Sequence, residues 1–417
     1  MTNIVARNLA PRVTDLMEHF PAVIIEGARQ VGKSTLATHL AAAGTRVLNL
    51  DLEEVRSAAR ADPAGLIQHA EGAMIVIDEI QRMPELTLAI KAAIDADRRP
   101  GRFLMTGSSS LLRVRGTADS LAGRAARVRL YGLSQGEIRG HREDAVAAIV
   151  ADPGQWSGSA PALARDEYVG ILATGAYPEL QDMPARLRGA WIDSYLEGIV
   201  GRDLPELRQQ VRPARSMSVL RTFAARPSAE LVKAKLAQET SVPTSTISSY
   251  VDLLHDVDLV ASVPPWTPNI AKREIGRPKS FVVDSAVAMR LARITTGQLE
   301  HLQHREMLGA LSESFVAAEL LRQSTWSDVD YELFHYRDRD GDEVDLVIEC
   351  EDGSVIGIEV KASSSYIGRQ FAGLSRMRDR LGDRFVAGFV LGTADHGYRY
   401  ADRLYGAPIA ALWGEGT

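Results

Sequence analysis

The sequence predicts an α/β fold class: a parallel-sheet P-loop domain, a helical and winged-helix middle region, and a second α/β domain at the C-terminal end. Three observations carry this. Apolar strands alternate with helical stretches from residue 20 to about 131. A helix–turn–helix pattern followed by two apolar strands occupies residues 228–284. Charged turns separate apolar strands over residues 331–361.

The first domain opens on the apolar strand Ala22-Val23-Ile24-Ile25. It runs into Gly27-Ala28-Arg29-Gln30-Val31-Gly32-Lys33-Ser34, and a helical stretch starts at Thr35. Strand, loop and helix together fit GxxxxGK[ST]. In that motif the glycines let backbone N–H groups turn onto phosphate oxygens, the lysine reaches the β- and γ-phosphates, and the hydroxyl ligates Mg²⁺. The helix N-terminus adds its dipole. Gly27, Ala28, Arg29, Gln30, Val31, Gly32, Lys33, Ser34 and Thr35 are therefore the expected triphosphate-binding set, with Ser34 on the metal.

Further strands are expected at residues 47–50, 74–79, 103–106 and 128–131. Continuous apolar strands between helices indicate a parallel sheet covered on both faces, and such sheets bind ligands at their C-terminal strand ends. Asp78 is expected to hold Mg²⁺ and Glu79 to orient the attacking water. Adjacent carboxylates at a strand tip are costly unless a cation joins them. Thr106 either senses the γ-phosphate or is an ordinary strand-end threonine. Arg113, Arg115, Arg124, Arg127 and Arg129 face a single acidic residue, Asp119, between residues 112 and 129. Arg124 is the candidate to neutralise transition-state charge, in its own chain or in a neighbouring subunit; a solvated basic face is the alternative.

Four segments together resemble a large prokaryotic group of AAA+-type ATPases that carry a C-terminal domain of uncharacterised function. They are Ile25-Glu26-Gly27-Ala28-Arg29-Gln30-Val31-Gly32-Lys33-Ser34, Ile77-Asp78-Glu79-Ile80-Gln81, Met105-Thr106-Gly107-Ser108-Ser109 and Ser120-Leu121-Ala122-Gly123-Arg124. The resemblance spans nearly the whole chain. It implies ATP with Mg²⁺ as the bound species, ATP hydrolysis, and a homo-oligomer in which an arginine finger works between subunits. Members usually have Thr after the P-loop lysine; Ser34 serves the same chemistry. They also carry an Arg-Asp pair in the region of Arg202-Asp203.

In the middle, Asp152-Pro153-Gly154-Gln155-Trp156-Ser157-Gly158-Ser159 reads as an exposed loop. A helix from Ser228, a break at Ser241-Val242-Pro243 and a second helix from Thr244 give helix-turn-helix geometry. Lys272, Arg273, Arg277 and Lys279 lie between the two strands that follow, as a basic wing. The wing suits phosphates, which position DNA without reading its sequence. The second helix offers Ser245, Thr246, Ser248 and Ser249 but no Arg or Lys for guanine. Docking to a protein partner is the other use of such a module.

At the C-terminal end, Asp345 and Glu359 fall on neighbouring strands joined through Asp352-Gly353. Glu359 and Lys361 share one strand face. Glu313, on the preceding helix, adds a carboxylate. Two carboxylates and a lysine suit metal-assisted hydrolysis. Asp345 with Glu359-Val360-Lys361 is similar to the PD-(D/E)XK nuclease superfamily, which implies a restriction-endonuclease-like fold. The alternative is a salt-bridged strand pair in a binding module.

The expected domains are 1–135, 136–225, 226–300 and 301–417. A net charge of −6 argues against a uniformly basic nucleic-acid coat, and the single Cys350 allows no internal disulfide. With no long apolar run at the start and none of 18 residues elsewhere, a cytoplasmic protein without a membrane span is expected. The leading expectation is an ATPase that couples nucleotide state to binding or remodelling of DNA, branched DNA included. An ATP-regulated Mg²⁺-dependent nuclease and a toxin–antitoxin-like switch with a protein partner are the alternatives.

Overall fold

Five parallel strands open the fold: β1 (Ala22–Glu26), β2 (Arg46–Asn49), β3 (Ile75–Asp78), β4 (Phe103–Gly107) and β5 (Ala125–Arg129), in the order β2-β3-β4-β1-β5. The computed structural model describes residues 4–42, 44–68, 74–108, 121–157, 163–268, 273, 276–301, 305–338 and 341–414. Alternate residues enter two cores. Ile24, Leu48, Ile77, Phe103 and Met105 pack on one face, and Val23, Ile25, Val76, Leu104 and Val128 on the other. Burial on both faces is why these strands read as continuous apolar runs. β5 starts earlier than its apolar residues suggest. As an edge strand it alternates Arg127 and Arg129 with buried Val128, so apolar continuity understates its length.

The middle region is helical up to Ala225, and the helix Pro213–Ala225 packs on the helices Lys233–Thr240 and Thr244–Asp256. A three-stranded antiparallel sheet follows in the order β6-β8-β7, from β6 (Ala229–Glu230), β7 (Val260–Val263) and β8 (Lys279–Val282). The first helix of the helix-turn-helix starts at Lys233 rather than Ser228. Residues 229–230 pair with β8 instead, and Ser228 takes φ 54° to enter that strand. Residues 153–157, expected as exposed loop, form a 3-10 turn whose Trp156 is buried on Phe389, ring centroids 5.0 Å apart. The apolar area of one tryptophan outweighs the turn-forming composition around it.

The C-terminal sheet is mixed, in the order β13-β14-β12-β11-β10-β9: β9 (Tyr331–Arg337), β10 (Glu343–Cys350), β11 (Val355–Val360), β12 (Phe385–Gly392), β13 (Tyr398–Ala401) and β14 (Leu404–Pro408). β9, β10 and β11 are antiparallel neighbours, while β12 runs parallel to β11 and β14. The helix Arg305–Gln323 packs against β9 and β11. The β9 edge is covered from the middle region. Trp266 N–H donates to the His335 carbonyl at 2.6 Å, and His335 N–H donates to the Pro264 carbonyl at 2.9 Å. No helix among the described residues is long and apolar enough to cross a membrane.

Candidate functional site

The first site lies at the C-terminal ends of β1, β3 and β4. Gly27 must be glycine, because a Cβ there would stand 2.1 Å from the Leu130 carbonyl oxygen. Gln30 and Gly32 take positive φ, 60° and 97°, and Gly32 caps the helix Lys33–Leu40. Arg7 holds the loop from behind, donating to the Val31 carbonyl at 2.7 Å while paired with Glu137 at 3.1 Å. Lys33 is buried. Its Nζ donates to the Ala28 carbonyl of its own loop at 2.7 Å, not to a carboxylate. Burial lowers its pKa, against the opposing pull of Glu79, Asp258 and Asp78.

Ser34 Oγ donates to Asp78 Oδ1 at 2.7 Å. Thr106 Oγ1 donates to the same oxygen and accepts from the Glu79 N–H at 3.2 Å. Thr106 is fully buried, so its hydroxyl braces the two carboxylate residues rather than standing open to a γ-phosphate. Glu79 is left-handed (φ 59°, ψ 46°), a conformation costing about 1–2 kcal/mol for a non-glycine residue. Strain of this kind collects where a side chain must be aimed, and Gln81 Nε2 donates to the Glu79 carboxylate. The loop, with its close approach at Gly27, and the Ser34–Asp78 pair fit a triphosphate with Mg²⁺.

The middle region reaches this loop. Arg29 pairs with Asp203 at 2.6 Å, and Tyr195 Oη donates to the Arg29 carbonyl at 3.4 Å. Burial raises the Asp203 pKa and Arg29 opposes the rise. Arg202 is exposed and pairs with its neighbour Asp203, at 3.5 Å. Asp203 and Asp258 were not legible as site residues, because they come near the loop only through tertiary packing. The Arg-Asp step at 202–203 was the one available signal.

Arg124 lies elsewhere. It precedes β5 at the end of the sheet opposite the P-loop and holds Asp95 with two bonds, at 2.7 and 3.0 Å. A role on its own nucleotide is thereby corrected: Arg124 is held in an ion pair at the far end of the sheet. Arg113 and Arg115 lie outside the described residues.

The second cluster sits where the C-terminal sheet meets β8. Leu346 pairs with Ile358, so Asp345 stands beside Glu359 one step further along. Lys361 Nζ lies 2.5 Å from Glu359 and 3.6 Å from Asp345, and the Val360 N–H donates to Asp345 at 2.9 Å. Glu313 joins from its helix. Lys279 of β8 stands among them, 2.8 Å from Glu313, 2.9 Å from Glu343 and 3.5 Å from Asp345. Burial alone would lower the Lys279 pKa, but Glu313, Asp345 and Glu343 raise it above the ordinary value. Burial and Asp345 push Glu313 up to about 8 and Glu359 to about 7.

The basic wing is corrected accordingly. Lys279 is only 6% exposed and serves the carboxylates. Arg273 makes two bonds to Glu349, at 2.5 and 3.1 Å, and lies over the Phe334 ring. Both cations are spent on the C-terminal sheet, which leaves neither for phosphate. Arg277 is exposed, and Lys272 lies outside the described residues. The four expected nuclease-like residues do meet, but around two ammonium groups. Among the described residues no three metal-ligating side chains are arranged to hold an ion.

Comparison with known proteins follows these divisions. Residues 19–139 match the AAA domain family, residues 165–298 a domain of unknown function (DUF8612), and residues 308–412 another (DUF4143). With the parallel sheet and the P-loop, the first match makes the N-terminal third an AAA-type ATPase fold. An uncharacterized protein of Mycobacterium tuberculosis is 29% identical over 99% of this chain and 85% of its own, and so is one of Mycobacterium bovis. Among solved structures, a Walker-type ATPase of Pyrococcus abyssi is 15% identical at a TM-score of 0.45, over 70% of this chain and 96% of its own. The RuvB Holliday junction branch migration motor of Thermotoga maritima is 18% identical at a TM-score of 0.29, over 65% and 91%.

Proposed function

We propose that this chain binds and hydrolyses ATP at the P-loop and couples nucleotide state to sequence-independent DNA engagement by its middle region. The observation that carries the ATPase reading is the meeting of Lys33, Ser34, Asp78, Glu79 and Thr106 at three adjacent strand ends. Ser34 and Asp78 would hold Mg²⁺, which would supply positive charge to the phosphates. Lys33 gives the triphosphate tail an ammonium. Glu79, aimed by its left-handed backbone and held by Gln81, orients and polarises the attacking water. Thr106 fixes the Asp78 carboxylate and the Glu79 backbone N–H. In an oligomer, Arg124 of one copy would serve the nucleotide of the next.

The Arg29–Asp203 pair links the loop to the helices that carry the helix-turn-helix. DNA engagement is supported by the exposed start of the second helix, Thr244, Ser245 and Thr246, with Lys233 and Lys235 exposed on the helix before it. These groups suit phosphate oxygens and make no bidentate base contact. One observation favours a protein partner instead: Arg273 and Lys279 are withdrawn from the wing.

The test is the ATPase rate of the wild type and Lys33→Ala, each with linear, single-stranded and branched DNA. Lys33→Ala is expected to lose activity by on the order of 100-fold or more. DNA is expected to stimulate the wild type. An unimpaired Lys33→Ala protein refutes the assigned site. Rates that ignore every DNA form refute the DNA half and leave the protein-partner reading.

A further inference from the structure

The nuclease-like carboxylates have the residue types of a divalent-metal site, but two ammonium groups already stand among their oxygens. We propose that the Lys279 ammonium is the resident counter-ion of this pocket, which makes it a socket that locks the middle region onto the C-terminal domain rather than a metal centre. Lys279 enters from β8, outside the C-terminal domain, and reaches Glu313, Glu343 and Asp345 within 3.5 Å. Lys361 holds Glu359 from the other side. The second Asp345 oxygen is taken by the Val360 N–H.

A cation site needs carboxylate oxygens turned onto one point, with charge left for the ion. Here two ammonium groups already sit among the oxygens. A divalent ion would have to displace Lys279, leaving its buried charge without a partner.

Independent contacts hold Lys279 in place. Pro265 bridges His335 beside the edge of β9, and Arg273 clamps Glu349 through two bonds. Arg337 of β9 reaches back to Glu230 of β6 at 3.4 Å. The socket is thus one part of a continuous seam between β6–β8 and the C-terminal sheet. It predicts a C-terminal domain that transmits position and does not cut.

The test is Mn²⁺ binding to the full chain without nucleotide, followed by electron paramagnetic resonance. Wild type and Asp345→Asn are expected to take up the same amount of Mn²⁺. Lys279→Ala is expected to gain one site, and adding Asp345→Asn should abolish it. A wild-type Mn²⁺ that Asp345→Asn removes overturns the inference. So does a Lys279→Ala protein that is folded by circular dichroism and gains none. ATP binding measured on the same samples keeps failure here distinct from failure of the ATPase reading, since neither substituted residue touches the P-loop.

Discussion

The P-loop site and the C-terminal cluster both place carboxylates and a lysine beside strand ends, yet they satisfy the carboxylates differently. At the P-loop the donors to Asp78 are the hydroxyls of Ser34 and Thr106, and Lys33 bonds to a backbone carbonyl. Neutral donors orient a carboxylate without cancelling its charge, so the site keeps its attraction for a cation. In the C-terminal cluster the donors are the ammonium groups of Lys279 and Lys361. There the carboxylates are paired with cations of the protein itself, and what the Lys279 pairs secure is the contact between two regions. The same residue types thus serve chemistry in one place and assembly in the other.

The largest effect that would break this comparison is catalytic. Glu79→Gln is expected to slow ATP hydrolysis by about 10²–10⁴-fold. ATP binding should persist, while Glu359→Gln leaves hydrolysis unchanged. Steady-state hydrolysis with nucleotide titration of both variants reads it, and equal losses would erase the division of labour.

The next effect separates the two lysines. Lys279→Met takes the cation from buried Asp345 and largely buried Glu313 and is expected to cost about 3–5 kcal/mol. Lys33→Met removes a charge that burial already disfavours, so it should leave the melting temperature unchanged or higher. Thermal unfolding of the two nucleotide-free variants beside the wild type measures this. A Lys33→Met loss as large as that of Lys279→Met would refute the contrast.

How legible each region was in the sequence follows from where its partners lie. The P-loop is one contiguous run between a strand and a helix, so local pattern was enough to find it. Asp78, Glu79 and Thr106 were found because a parallel sheet brings its strand ends to one side. Asp345 beside Glu359 follows from hairpin register, which is also local. Lys279 lies on another sheet from all its partners, and flanking Arg273 and Arg277 made it look like one more exposed cation. Its position at the head of a four-residue strand that is buried throughout was the physical clue that it must be paired. Arg124 misled for a related reason: a motif names a residue, but only topology says which end of the sheet it occupies.

The smallest expected effect sharpens the comparison through pH. Glu313 and Glu359 titrate near 8 and 7 in the folded chain, above the ordinary glutamate value of 4.5. The folded state therefore binds more protons than the unfolded state between those limits, and stability falls as pH rises through the window. The contribution is fully present below about 4.5 and lost once pH passes about 8. Glu313→Gln carries no proton to lose, so its unfolding free energy should fall less between pH 6 and 9 than that of the wild type, by on the order of 1 kcal/mol, with a correspondingly smaller decline in melting temperature. Parallel slopes for the two proteins would mean that Glu313 stays charged beside Lys279. The cluster would then carry one more negative charge beside its two ammonium groups, and a divalent ion would have a stronger reason to enter.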